Sequence, residues 1–150
     1  MKSIEEIIGE YSFFKGLSQD KLEIFASCAK KIAIKTGDYI FKAGEDAKEF
    51  YLILNGFVSL EVHEINIQIL GRGEILGWSW QFPPYKWNFD AKVLEDAELL
   101  VFDTNLFFAK CNINLVFAYE IQKRFSKIML ERLQATRHKL IETIQDKTLV

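Results

Sequence analysis

A chain of 150 residues, 49% hydrophobic and 27% charged, has the length and apolar content of one domain around a single core. Its formal net charge of −2 excludes a general electrostatic attraction to nucleic acid or an anionic membrane, and no apolar run approaches the roughly 20 residues that cross a bilayer. Cys28 and Cys111 show no metal-ligand spacing and the N-terminus does not read as a signal peptide, so the expectation is a protein of the reducing cytoplasm, with no membrane partner and no DNA binding of its own.

Residues 1–31 read as N-terminal helices. Ile4, Ile7, Ile8 and Tyr11 share one face, Leu17, Leu22, Phe25 and Cys28 another, and Ser18 is the expected N-cap of the second segment. From 32 to 103 the pattern changes to short β-type runs at 32–34, 39–41, 50–54, 57–62, 67–70, 91–94 and 99–102, separated by turn residues. Strands of this length and spacing predict a sandwich or barrel. Asn55-Gly56 between two apolar runs predicts a hairpin, because a type I′ turn needs positive φ at both central residues. Trp78, Trp80, Phe82, Tyr85, Trp87 and Phe89 fall close together; as an alternating strand they would line one face, either walling a pocket or filling it. Pro83-Pro84-Tyr85 reads as a rigid turn.

Residues 104–150 return to helix, short over 106–110 and long from Leu115 to about Lys147. In the long helix Ala118, Ile121, Phe125, Ile128, Arg132, Thr136, Leu140 and Ile144 recur at spacings of three and four, forming a stripe. At about 1.5 Å per residue that stripe outruns a small barrel. Part of it is expected on the β-domain and the rest against an identical helix, giving a homodimer; a helix folded only onto its own domain is the alternative.

Two groups of residues resemble the cyclic-nucleotide-binding domain family. The first is Gly37-Asp38, Ile40-Phe41, Gly44-Glu45 and Tyr51 through Gly56, at the places where that family's early strands carry Gly-Asp, Ile-Phe, Gly-Glu and Tyr-hydrophobic-Gly. The second is Gly71-Arg72-Gly73-Glu74-Ile75-Leu76-Gly77, similar to the family's phosphate-binding cassette, Phe-Gly-Glu-(Leu/Ile)-Ala-Leu followed by Arg-Ala-Ala. Gly73-Glu74-Ile75 match, Arg72 stands for the Phe and Gly77 for the Leu. Trp87 stands where the cassette arginine would be, with Lys86 beside it, after a few inserted residues. The run Met129 to Thr136 resembles the corresponding helix of the catabolite-activator branch, which sets an arginine and a threonine over the nucleotide.

The resemblance implies a mainly β fold with flanking helices, a double-stranded β-helix (jelly roll or β-roll) with a long C-terminal helix. It also implies a non-enzymatic, ligand-sensing regulatory domain for cAMP, cGMP or a related small anion, with no cofactor. Gly73, Glu74, Ile75, Leu76, Lys86, Trp87, Arg132 and Thr136 are the implied ligand residues: Glu74 for a ribose hydroxyl, Thr136 for a base edge, Arg132 for phosphate or cassette. The residues alone leave Arg132 free to snorkel to solvent and Thr136 to bond its own helix. The family's transcription regulators continue from this helix into a hinge and a helix-turn-helix domain. The chain ends at Val150, so a complete regulator of that kind is not expected. The competing expectation is a degenerate domain kept as a dimerisation or protein-interaction scaffold, its pocket filled by Trp78, Trp80 and Trp87; a cavity beside Glu74 counts against it.

Catalytic patterns are absent from the sequence. The β-roll is shared with metal-dependent cupins, which need clustered ligands, but His63 reads as a strand residue and His138 as a helix residue, both at the surface. No Gly-x-Ser-x-Gly elbow or P-loop pattern occurs. Glu120 with Arg124 and Lys127 with Glu131 are spaced as solvated i,i+4 pairs, worth about 0.2–0.5 kcal/mol each.

Overall fold

The computed structural model describes residues 1–148, and all their side chains except those of residues 111–113 and 148. Helix α1 (Ile4–Ile8) opens on Ser3, whose Oγ accepts from the Glu6 N–H, and α2 (Gln19–Ser27) follows Ser18 as expected, although that hydroxyl makes no capping bond. Strand β1 (Ala29–Ile34) begins ahead of the expected residue 32, so the boundary drawn after residue 31 falls inside it. Then come β2 (Tyr39–Phe41), β3 (Glu49–Val62), β4 (Ile65–Leu70), β5 (Ile75–Leu76), β6 (Asp90–Asp103), α3 (Thr104–Ile113) and α4 (Leu115–Thr148). All pairings between strands are antiparallel. The sheet runs β1-β6-β3-β4, with β2 on β6 and β5 on β3.

The expected hairpin at Asn55-Gly56 is absent. Both residues lie within β3, where the register against β6 shifts repeatedly between Ile53 and Val58. Gly56 has φ +92, and a Cβ there would sit 2.5 Å from the Asp96 carbonyl oxygen. Its glycine therefore serves a bulge that presses β3 onto β6. Because the bulge bends the pair without ending it, the runs at 50–54 and 57–62 are one strand, as are those at 91–94 and 99–102. The hairpin lies at His63 and Glu64, with φ 51 and 65, between β3 and β4. His63 is thus a turn residue rather than a strand residue.

Residues 78–89 do not form a strand. A 3-10 turn covers Ser79–Gln81, the Pro83–Pro84 bond is cis, Tyr85 has φ 57, and Lys86 forms an isolated bridge with Asp46. Irregular backbone breaks the alternation, so the rings divide: Trp80 and Trp87 are buried, Trp78 and Phe89 half-buried, Phe82 and Tyr85 exposed.

The core is phenylalanine-rich. Phe50 of β3 and Phe102 of β6 stack at 4.7 Å, Phe25 of α2 stacks on Phe107 of α3 at 5.2 Å, and Phe125 of α4 meets Phe50 edge-on at 5.4 Å. Such ring pairs add about 0.5–1.5 kcal/mol each beyond area burial. They fasten the first half of α4, through Phe117, Ile121 and Phe125, to the roll. The expected stripe divides beyond that point: Ile121, Phe125 and Arg132 are buried, Ala118 and Ile128 half-buried, but Thr136, Leu140 and Ile144 are exposed. Each four-residue step overshoots a full turn by about 40°, so the run of fours from Ile128 winds off the roll.

Candidate functional site

The Gly71–Glu74 segment folds into a tight turn between β4 and β5. The Glu74 N–H donates to the Gly71 carbonyl at 3.1 Å, and the Gly71 N–H donates to Glu74 Oε2 at 2.7 Å. The turn is pinned to β3 by Gly73 N–H to Ile53 O at 2.8 Å and Ile53 N–H to Glu74 O at 3.1 Å. Gly73 has φ +87, which a side chain would oppose, and the Tyr11 ring lies 3.2 Å from the place a Cβ would take. One Glu74 oxygen is therefore committed to the turn, while the carboxylate stays exposed and able to accept further bonds.

Arg132 closes this turn from α4. Only 8% exposed, its guanidinium lies over the Trp78 ring at 4.8 Å from the centroid, and Nη2 donates to the Ile75 carbonyl. Nη1 is buried and has no acceptor among the described residues. Burial pushes the guanidinium pKa down to about 10, against the opposing pull of Glu74 and Glu131, so the group is still a cation at neutral pH. It does not snorkel to solvent: the β-roll and Trp78 hold it.

Beside this contact is a cavity of about 580 Å³, bounded by the segment around Ser12 to Lys15, the Gly73–Ile75 turn and one flank of α4. A cross-link closes its N-terminal end. Arg124 Nη1 donates to the Phe13 carbonyl and Nη2 to Glu120 Oε1 at 3.2 Å, while Lys21 Nζ meets Glu120 Oε2 at 2.7 Å. Lys21 first, and then the Arg124 bond, hold the Glu120 carboxyl below its ordinary range. The Glu120–Arg124 pair is thus a half-buried bridge between elements rather than a solvated helix pair. Lys127 and Glu131 form no ion pair among the described residues.

Of the residues expected at a site, Gly73, Glu74, Ile75 and Arg132 converge on the cavity. Leu76 is buried on β5, and Thr136 is exposed one turn past Arg132. Lys86 stands at the surface in an ion pair with Asp46. Trp87 is in the core, stacked on Phe41 at 3.8 Å; Gly77 makes room for it, since a Cβ there would lie 2.6 Å from the indole. The cavity also recruits Lys15, Gln68, Lys123, Arg124 and Lys127. The lysines of α4 share a face at i and i+4, a signal legible in the sequence, but their apposition to Lys15 is tertiary.

Among the described residues no group of His, Cys, Asp and Glu is placed to hold a metal ion, and His138 pairs with Glu142 at 3.0 Å. No described helix is long and apolar enough to cross a membrane.

The family model for the cyclic nucleotide-binding domain matches residues 31–114, from β1 through α3. The chain belongs to the cyclic nucleotide-binding domain family. This domain is 28% identical, over 116 residues, to the anaerobic regulatory protein of Bacillus subtilis (strain 168), an alignment covering 73% of the chain and 49% of that protein. It thus spans about half the length of that relative. A putative cyclic nucleotide-binding protein from Geobacter metallireducens GS-15 shares the fold at TM-score 0.80 and 23% identity, over 89% of this chain and 99% of that one. The Thermus thermophilus catabolite activator protein does so at TM-score 0.69 and 20% identity, over 87% and 62%. All of α4, Arg132 included, lies beyond the matched stretch.

Proposed function

We propose that the domain is a non-enzymatic cytoplasmic sensor that binds a cyclic nucleotide, cAMP or cGMP, or a related small anion beside Glu74, and reports binding through α4 in a homodimer. The observation that carries this reading is the cavity where the cassette turn meets α4, with a buried cation, Arg132, shared between them. Glu74 offers an acceptor for a hydroxyl, and Nη1 of Arg132, buried and without an acceptor among the described residues, becomes a donor for an anionic oxygen once a shift of α4 uncovers it. A ligand bridging the two changes the contact that sets the angle of α4, and binding that differs between two helix positions shifts their populations. The Bacillus subtilis relative is named a regulatory protein, which supports a regulatory role.

One set of observations favours a scaffold without nucleotide: Trp80 and Trp87 fill core space and Lys86 is engaged by Asp46, so the segment after the cassette supplies no free cation. The cavity beside Glu74 weighs against it.

Titration calorimetry with cAMP and cGMP tests the reading. The expectation is micromolar or tighter binding by the parent domain, weakened about tenfold or more in both Glu74→Ala and Arg132→Ala, as for lost charge-assisted hydrogen bonds. Affinity unchanged in both variants removes the site assignment, and silence for every nucleotide leaves the scaffold reading.

A further inference from the structure

The cavity carries more positive charge than one phosphodiester requires. Lys15, Lys123, Arg124, Lys127 and Arg132 line it against Glu74, Glu120 and Glu131, so cations outnumber carboxylates. Glu120 is moreover taken up by Lys21 from outside the lining, together with Arg124. Glu74 spends one oxygen on the Gly71 N–H. Lys15 and Lys127 meet no carboxylate among the described residues, and the contact recorded for Lys123 is the Tyr119 ring at 5.9 Å. Like charges gathered around a concave surface repel one another and focus an attractive field for anions. They sit one helical turn apart on α4 and across from it on the N-terminal segment, so they surround a volume rather than a point.

The opposite end of the cavity differs in character. Ile75 and Ile128 offer apolar surface and Gln68 an amide, with the Arg132 guanidinium set between Glu74 and Glu131. A ligand matching both ends has a flat, partly apolar body and a tail with several negative charges. The volume of about 580 Å³ lies well within the range of small-ligand pockets, about 300–1,000 Å³.

We infer that this cavity takes a nucleotide bearing two or more phosphate groups, a nucleoside di- or triphosphate, with its phosphates among Lys15, Lys123 and Lys127 and its base end toward Ile75, Ile128 and Arg132. The inference rests on the reading of the same cavity as a nucleotide site; it changes the ligand class from a cyclic monophosphate with one negative charge to a polyphosphate with several, and it moves the phosphates from Arg132 to the lysines.

The test is calorimetry of the full chain with ADP, ATP and cAMP at two salt concentrations, alongside a Lys123→Gln/Lys127→Gln double variant. Both lysines are exposed, so the variant keeps the fold, which circular dichroism verifies. The expected result is ADP or ATP binding about tenfold or more tighter than cAMP, with a steep loss as salt rises, and about tenfold weaker binding in the double variant. Tighter binding of cAMP than of either polyphosphate overturns this inference and leaves the proposed function standing, as does ADP affinity unchanged in the double variant. No binding of any of the three overturns both.

Discussion

Arg132 holds a full charge where desolvation disfavours it, with one N–H face unpaired. Breaking a buried ion pair is costly, but exchanging a buried charged group for an apolar one of similar shape is often neutral or stabilising. Among the described residues Arg132 has no carboxylate in salt-bridge contact; its partners are a carbonyl and an indole face. Arg132→Met should therefore leave stability unchanged or raise it by up to about 2 kcal/mol, the lost bond to Ile75 offsetting part of the relieved desolvation. Ligand affinity should fall in the same variant. Because the folded pKa lies below the ordinary arginine value, the unfolded chain binds the extra proton only above pH about 10, so stability gains from this group arise only there and the cost is constant through neutral pH. Urea unfolding at neutral pH checks this; a loss of more than about 2 kcal/mol would show Arg132 to be a structural clamp.

At the scale of elements, β3 shows which parts of the fold were legible in the sequence. Period-two runs and flanking punctuation located β2 and the body of β4, and the three-and-four spacing located α4, because those patterns depend on neighbours along the chain. Gly56 was misread because positive φ serves a hairpin and a bulge alike, and only the carbonyls of Glu95 and Asp96 across the sheet distinguish them. The turn at His63-Glu64 was invisible because Glu64 does not favour the left-handed region that both occupy, and a lone histidine, though it enters that region more readily than most residues, marks no turn. The same limit applies at the site: Glu74 and Arg132 stood in recognisable runs, whereas Lys15, Lys123 and Lys127 acquire meaning only when the N-terminal segment lies beside α4. Opposite responses to substitution follow. Gly56→Ala should cost about 3 kcal/mol or more, since a methyl group would collide with backbone on β6 and force φ from +92. His63→Asn with Glu64→Gly should raise stability by about 1 kcal/mol, by relieving left-handed strain at an exposed turn. Paired denaturation curves would reverse this assignment if the first were silent or the second harmful.

For the whole molecule, the question is what α4 does beyond its last buried residue. A helix of 34 residues extends about 50 Å, yet its buried positions end at Arg132. Past Arg132 it still touches the roll at β4, through Lys139 Nζ, which donates to the Ile67 carbonyl at 2.8 Å. Leu130, Leu133, Leu140 and Ile141 are about half or more exposed along this stretch, a row of apolar side chains that water disfavours and an identical helix would cover. The parent should sediment as a dimer at micromolar concentration, with a melting temperature that rises with concentration, because association stabilises by mass action. A Leu133→Glu/Leu140→Glu variant should be monomeric while keeping the roll, whose contacts lie earlier on the helix. A parent that stays monomeric at every concentration would remove the dimer. If it forms, Arg132 makes it an indicator of the site: Leu133 and Arg132 are adjacent on α4, one exposed toward the partner and one inserted over the cassette turn. Coupling free energies are reciprocal. A nucleotide that, filling both protomers, tightens the dimer about a hundredfold must bind each site of the dimer about tenfold more tightly than the monomer, and comparing its affinity for the parent and for the double variant measures the square root of the same factor from the other side.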